Sequence, residues 1–207
     1  MKNIWYYDLQ SQKRYESIDA IFPGWTGNGE TVAVLAPHDD DAVLGPGYLI
    51  HAVQQNGGRV GVIQFNDGSA GYSQPELKEQ IVAIRRREMA ASLALLDIPP
   101  SMFHCLGFPD FSGHLHLGWK LLDGSEGTFS QLLKKLREWR VTRLVFANGH
   151  MEHIDHWAVE MASLFDGPQA GDPVCVDWGE PSRIRTYLAY CCWGAFSPMD
   201  ALVSGRD

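Results

Sequence analysis

Short apolar runs that alternate with helical patterns are the feature that most limits how this chain can fold. Four runs are rich in Val, Ile, Leu and Phe and have the length of single strands: 31–36, 59–65, 102–108 and 143–147. A last strand is predicted within 183–193. Strands of this composition, separated by helices, are typical of a parallel sheet that is covered on both faces. The sequence therefore predicts an α/β fold, with a Rossmann-like, mostly parallel sheet and helices on both faces.

Helical spacing of apolar residues predicts four connecting helices, at 42–56, 76–96, 129–139 and 156–165. The first of these ends at Gly57 and Gly58, a common signal for a helix C-terminus. The chain of 207 residues has no internal repeat, low-complexity tract or linker that would divide it. We therefore expect one domain over residues 1–207.

Charge and hydropathy exclude several classes of protein. Seventeen basic and 25 acidic residues give a formal charge of −8, and the one basic block is Arg85–Arg87. A nucleic-acid-binding protein usually has a larger basic patch, so no nucleic-acid partner is expected. No stretch resembles a signal peptide or approaches 18 uninterrupted apolar residues. These patterns favour a protein with no membrane span, and the four cysteines, none of them in a C-x-x-C pair, favour reduced thiols in a cytoplasmic protein.

Two segments rich in His and acidic residues follow predicted strands. Residues 38–41 come directly after the strand at 31–36, and residues 150–156 come shortly after the strand at 143–147. The carboxyl ends of parallel strands lie at one edge of a sheet, where open sheets of this class bind ligands. We therefore expect the two segments to meet, although three Asp residues in a row could also simply cap a helix.

The residue types in these segments are those of a hydrolytic zinc site. A catalytic zinc ion typically has three His and carboxylate ligands and one open position. One His and one Asp from the first segment and one His from the second would satisfy it. Another carboxylate could then act as general base on the metal-bound water.

The two segments resemble the motifs of PIG-L/LmbE-type N-acetylglucosaminyl deacetylases, which have an A-H-P-D-D-E-like motif and a late H-P-D-H-like motif. Here they are the runs 36–41 and 153–156. Between them, the family's T-D-G turn, R-x-x-E helix and L-G-x-x-D segment have counterparts at 66–68, 85–88 and 106–110. The resemblance covers about residues 31–160, in the same order.

This resemblance implies a zinc-dependent hydrolase that removes an acetyl group from a small-molecule substrate, an N-acetylated amino sugar or its conjugate, with the metal-bound water as nucleophile. It implies that zinc is bound by three residues, His38, Asp41 and His156. Asp40 would be the general base, His153 would stabilise the oxyanion or protonate the leaving amine, and Asp155 would orient a neighbouring imidazole. The implied substrate-binding residues are Arg85 and Asp110.

Two residues depart from the family pattern. Asp39 stands where the family usually has Pro, and Ala42 stands where it usually has Glu. Three consecutive Asp residues also leave the register open by one residue, and the spacing from His38 favours Asp40 as base and Asp41 as ligand.

Alternative functions remain open at this point. They are a metal-dependent phosphoesterase, a catalytically altered family member and a nucleotide-binding module, although the last lacks a glycine-rich phosphate loop. The chain ends soon after its last predicted strand, so a partner in a homo-oligomer could supply part of the pocket, or that part is missing.

Overall fold

The computed structural model describes residues 4–193, which begin with a short antiparallel hairpin. Its strands are β1 (Tyr6–Asp8) and β2 (Lys13–Tyr15). Five further strands form a second, entirely parallel sheet: β3 (Thr31–Ala36), β4 (Arg59–Asn66), β5 (Phe103–Phe108), β6 (Arg143–Ala147) and β7 (Thr186–Tyr190). The predicted parallel sheet is thus confirmed, with strand ends that differ by a few residues at most.

Five helices connect these strands: α1 (Asp41–Leu44), α2 (Gly47–Gln55), α3 (Ile81–Leu95), α4 (Thr128–Glu138) and α5 (Ile154–Phe165). The prediction of one helix over 42–56 was wrong, because the chain breaks at Gly45 and Pro46. A Cβ atom on Gly45 would lie 2.2 Å from the ring of Tyr190. The close approach of Tyr190 therefore requires a glycine at the break, and the proline that follows cannot donate a helical hydrogen bond.

Two other helix starts differ from the prediction. A 3₁₀ turn over Pro75–Leu77 precedes α3, which begins five residues later than expected. Helix α5 begins at Ile154, two residues earlier than expected, because the His153 side chain accepts a hydrogen bond from the Asp155 backbone N–H. Histidine is an uncommon N-cap, so the sequence contained no standard start signal at this position.

The order of strands in the sheet is β5-β4-β3-β6-β7. From β3 the chain first adds strands on one side and then returns to add β6 and β7 on the other. Right-handed crossovers then put α2 and α3 on one face and α4 and α5 on the opposite face. The strand order reverses between β3 and β6, and ligands bind at such a switch point in open α/β sheets. The two polar segments follow these two strands.

The core lies in the middle of this sheet. All residues of β3 and β6 are buried, as are the last seven of β4. At the amino ends of the strands, the buried Glu30 carboxylate pairs with Arg143 at 3.1 Å and with Arg185 at 2.6 Å. This ion-pair cluster ties β3 to β6 at the edge opposite the polar segments. Within residues 4–193, no helix is both long and apolar enough to cross a membrane.

Candidate metal centre and active site

The turn after β3 brings His38 and Asp41 together. Asp41 is the first residue of α1 and is almost fully buried. Its Oδ2 atom accepts the backbone N–H of His38 at 2.9 Å and lies 3.1 Å from Nδ1 of the His38 ring. One carboxylate oxygen therefore fixes both the turn and the imidazole, which explains why the two residues are three apart.

The segment after β6 brings His156 to the same place. His156 lies in the first turn of α5 and is fully buried. Its Nε2 atom is 3.3 Å from Oδ2 of Asp41, and its Nδ1 atom is 2.6 Å from Oε2 of Glu152. The two segments, more than 100 residues apart in sequence, thus meet at the carboxyl ends of neighbouring strands, as the sequence predicts.

These residues fit a divalent cation. One potential ligand atom from each of His38, Asp41 and His156 lies within 4.8 Å of the others. Nε2 of His156 is buried and has no hydrogen-bond partner among the described residues. A buried polar nitrogen without a partner is costly, and a metal ion would satisfy it. Two imidazoles and a carboxylate also match the ligand types of catalytic zinc sites.

The charges in this cluster are strongly coupled. Burial raises the pKa of Asp41, but the close contacts of its carboxylate with the imidazoles of His156 and His38 outweigh burial and hold that pKa well below its usual range. Burial lowers the pKa of His38, but hydrogen bonds to Asp155 and Asp41 raise it to about 10. Burial also lowers the pKa of His156, and its contacts with Asp41 and Glu152 reverse the direction. The acidic groups therefore stabilise positive charge at this point, whether a proton or a metal ion carries it.

The Asp155 carboxylate contacts several groups of the site. It is fully buried, and its Oδ2 atom lies 3.2 Å from Nε2 of His38. The backbone N–H groups of Phe111 and Gly113 donate to its two oxygens at 2.6 and 3.0 Å. The imidazole closest to the Asp155 carboxylate is that of His38, and the role of Asp155 in orienting an imidazole stays a prediction.

The His153 ring has its own orientation. Its Nδ1 atom accepts the backbone N–H of Asp155 at 3.2 Å. Neutral His153 therefore carries its proton on Nε2, which is free to donate. Burial, together with the neighbouring positive His38, lowers the pKa of His153 and favours this neutral form.

The two remaining Asp residues of the turn differ in their surroundings. Asp40 is exposed, and its side chain forms no hydrogen bond or ion pair with the described residues. It is close enough to Cys192 and Tyr190 for its charge to raise their pKa values, which places it beside the cluster. Asp39 instead pairs with Arg85, with 3.6 Å between Oδ2 and Nη1. The extra charge at the position of the family's usual Pro is thus balanced.

The two predicted substrate-binding residues lie at the edge of the site. Arg85 reaches the acidic turn through Asp39 and also donates to the Gly71 carbonyl at 3.3 Å. Asp110 accepts the backbone N–H groups of Gly68 and Ala70 with its two oxygens, at 3.0 and 2.8 Å. In this structure Asp110 holds the 68–70 loop, and its contact with a substrate stays a prediction.

Glu152 is the main residue whose role the sequence did not reveal. Its side chain is completely buried, and besides His156 it accepts the backbone N–H groups of Cys192 and Trp193 at 3.2 and 3.1 Å. This carboxylate makes Nδ1 of His156 the proton donor and so leaves Nε2 available as a ligand. Glu152 lies four residues before His156 at a helix start, and this spacing was the available signal that the two side chains could meet. Nothing in the sequence indicated that the backbone N–H groups at 192–193 would also donate to Glu152.

Known structures share this fold. The conserved protein TT1542 from Thermus thermophilus is 24% identical with a TM-score of 0.63, and the match covers 84% of this chain and 76% of that one. N,N'-diacetylchitobiose deacetylase from Pyrococcus horikoshii is 21% identical with a TM-score of 0.66, and the match covers 86% of this chain and 67% of that one. GalB, a 4-carboxy-2-hydroxymuconate hydratase from Pseudomonas putida, is 14% identical with a TM-score of 0.58, and the match covers 75% of this chain and 62% of that one. At these identities the likeness establishes the fold alone.

Sequence comparison identifies the family. No curated protein matches the chain. The family model for PIG-L, GlcNAc-PI de-N-acetylase, matches residues 33–164, a range that includes both polar segments and most of the parallel sheet. The match covers more than half of the sequence and all the proposed ligands. The chain therefore belongs to the PIG-L (GlcNAc-PI de-N-acetylase) family.

Proposed function

We propose that this protein is a zinc-dependent N-deacetylase that removes an acetyl group from an N-acetylated amino sugar or its conjugate. The observation that carries this proposal is that potential ligand atoms of His38, Asp41 and His156 lie within 4.8 Å of one another, and that the buried Nε2 atom of His156 makes no hydrogen bond with the described residues. Membership of a family described as a GlcNAc-PI de-N-acetylase supports the substrate class. Fold likeness adds little here, since one similar structure is a hydratase.

His38, Asp41 and His156 would hold the metal. When bound, zinc would supply a Lewis acid that polarises the amide carbonyl and lowers the pKa of water. Asp40 is exposed at the start of α1 beside these ligands, and it would accept the proton of the attacking water. Its freedom from hydrogen bonds and ion pairs with the described residues leaves both oxygens available for this task.

His153 is the second residue with a proposed role in the reaction. Because Nδ1 is already occupied by the Asp155 N–H, the neutral ring would donate a hydrogen bond from Nε2 to the tetrahedral oxyanion. The proton that Asp40 takes from the attacking water would pass to the leaving amine. A lowered pKa keeps the ring neutral near pH 7, so it acts as a hydrogen-bond donor rather than as a fixed cation. Asp155 holds His38 and the backbone at 111–113 in place while this happens.

A two-metal phosphoesterase is the alternative that the residues raise most directly. A second potential ligand group consists of His38, His153 and Asp155. It shares His38 with the first group, and both oxygens of its carboxylate already accept backbone N–H groups. One metal ion per chain is therefore the stoichiometry that this geometry favours, and metal analysis of the purified protein measures it.

The test is acetate release from a panel of N-acetylated amino sugars, with zinc added and with a chelator. We expect release with zinc and none after chelation. Asp40→Asn should bind zinc normally and lose about 10²–10⁴-fold in turnover, the usual contribution of a general base. Asp39→Asn is the matched control, since it removes the neighbouring carboxylate, and it should retain most turnover.

Two results would contradict the proposal. Full activity of Asp40→Asn would show that the assigned base is wrong. Two metal ions per chain, with hydrolysis of phosphate esters and no acetate release, would favour the phosphoesterase instead.

A further inference from the structure

Phe111 has an unusual backbone conformation at the edge of the proposed active site. Its φ angle is +64°, in the left-handed region that a residue with a bulky side chain rarely adopts. Residues held in such conformations concentrate at functional sites, where neighbouring contacts maintain them. Here the contact is visible, because the Phe111 N–H donates to Oδ2 of the buried Asp155 at 2.6 Å.

The side chain of Phe111 is exposed rather than packed in the core. It is 59% exposed, and its ring lies edge-on to the His153 ring with 4.4 Å between the centroids. Glycine would satisfy the backbone at this position without strain. The phenyl ring therefore contributes little to the core, and the fold does not require it here. What it does provide is an apolar surface directly beside His153.

A second exposed aromatic ring lies by the other imidazole. Trp193 is 58% exposed, and its ring centroid is 6.3 Å from that of His156. Its backbone N–H donates to the buried Glu152, which also binds Nδ1 of His156. Rigid aromatic rings offer a large contact area at a small cost in conformational entropy, which suits them to ligand binding.

We infer that Phe111 is a substrate-contacting residue that packs against the apolar face of the amine-bearing sugar ring. The inference rests on the proposed function. His153 would act on the amide that the sugar carries, so a ring whose centroid is 4.4 Å from that of His153 lies beside the scissile bond and within reach of the sugar ring. Phe111 should therefore govern affinity for the sugar.

The experiment compares three variants for zinc-dependent acetate release and for binding of N-acetylglucosamine by calorimetry. Phe111→Gly removes the ring and the backbone strain and keeps the N–H that donates to Asp155. We expect KM and Kd to rise about tenfold, with kcat changed less than threefold and with no loss of thermal stability. Phe111→Tyr keeps the ring and should restore wild-type KM. Asp97→Gly replaces another residue with a left-handed backbone, at φ +53° just after α3, and should change neither KM nor kcat.

The outcomes separate this inference from the proposed function. Turnover by the wild type with KM and Kd unchanged in Phe111→Gly would overturn the inference and leave the deacetylase intact. No turnover, with sugar binding that weakens tenfold in Phe111→Gly, would support the contact and reject the deacetylase. Failure of the wild type both to bind and to hydrolyse every N-acetylated amino sugar would overturn both.

Discussion

Glu152 offers the sharpest test of how the metal centre is built, because one buried carboxylate serves three donors. It accepts from Nδ1 of His156 and from the backbone N–H groups of Cys192 and Trp193. Replacement by Ala leaves all three donors without this acceptor. It also allows the His156 proton to move to Nε2, where it would block the ligand position.

The magnitudes follow from these contacts. Loss of a carboxylate that orients a ligand histidine typically lowers metal affinity by about 10–100-fold. Each buried donor that is left unpaired costs about 1–3 kcal/mol, and water entering the space of the lost side chain recovers part of that. For Glu152→Ala we therefore expect about 10–100-fold weaker zinc binding, and a free energy of unfolding of the metal-free protein lower by about 2–4 kcal/mol.

The assay is competition for zinc against a chromophoric chelator, with urea unfolding of the metal-free protein measured alongside. Glu160→Ala is the matched control, because Glu160 lies on the same helix and accepts the Gly149 N–H, at 3.3 Å. It should leave zinc affinity unchanged. A folded Glu152→Ala protein that binds zinc as tightly as the wild type would refute the reasoning, since His156 would then need no partner at Nδ1.

Two further predictions concern stability away from the site. Glu30→Ala leaves the buried Arg143 without its carboxylate partner and should lower the free energy of unfolding by about 3–5 kcal/mol in urea denaturation, whereas zinc affinity of the folded protein should not change. Burial raises the pKa of Asp166 to about 6, against the opposing hydrogen bond from Thr128. Because the unfolded chain releases this proton near pH 4 and the folded protein near pH 6, stability attributable to Asp166 should fall across that interval and stay low above it. Asp166→Asn keeps an acceptor for Thr128, so it should match the wild type at pH 4 and exceed its stability by up to about 2 kcal/mol at pH 8 in urea unfolding. A stability difference that does not vary with pH would count against this assignment.

Much of the architecture could be predicted from local patterns. The runs that became β3 and β6 are apolar on both faces, so they could only be interior strands of a parallel sheet. Parallel strands end at one edge, and that rule was enough to predict that residues 38–41 and 153–156 meet. The spacing from His38 favoured Asp40 as base and Asp41 as ligand, and in the structure the Asp41 carboxylate lies 3.1 Å from the His38 ring.

Other features depend on contacts between residues distant in sequence. The break at Gly45 is required by the ring of Tyr190, and the α5 start depends on a histidine cap that no propensity favours. Arg85 balances the unusual Asp39, and the backbone at 192–193 completes the partners of Glu152. Local sequence was enough to locate the strands and helices, because their periodicities act over a few positions. It therefore also showed which residue types follow each strand. Only tertiary structure decided which nitrogen of His156 faces Asp41. Glu152 binds the other nitrogen, and the backbone N–H groups at 192–193 bind Glu152 in turn. These groups come together only when β6, α5 and the segment after β7 pack.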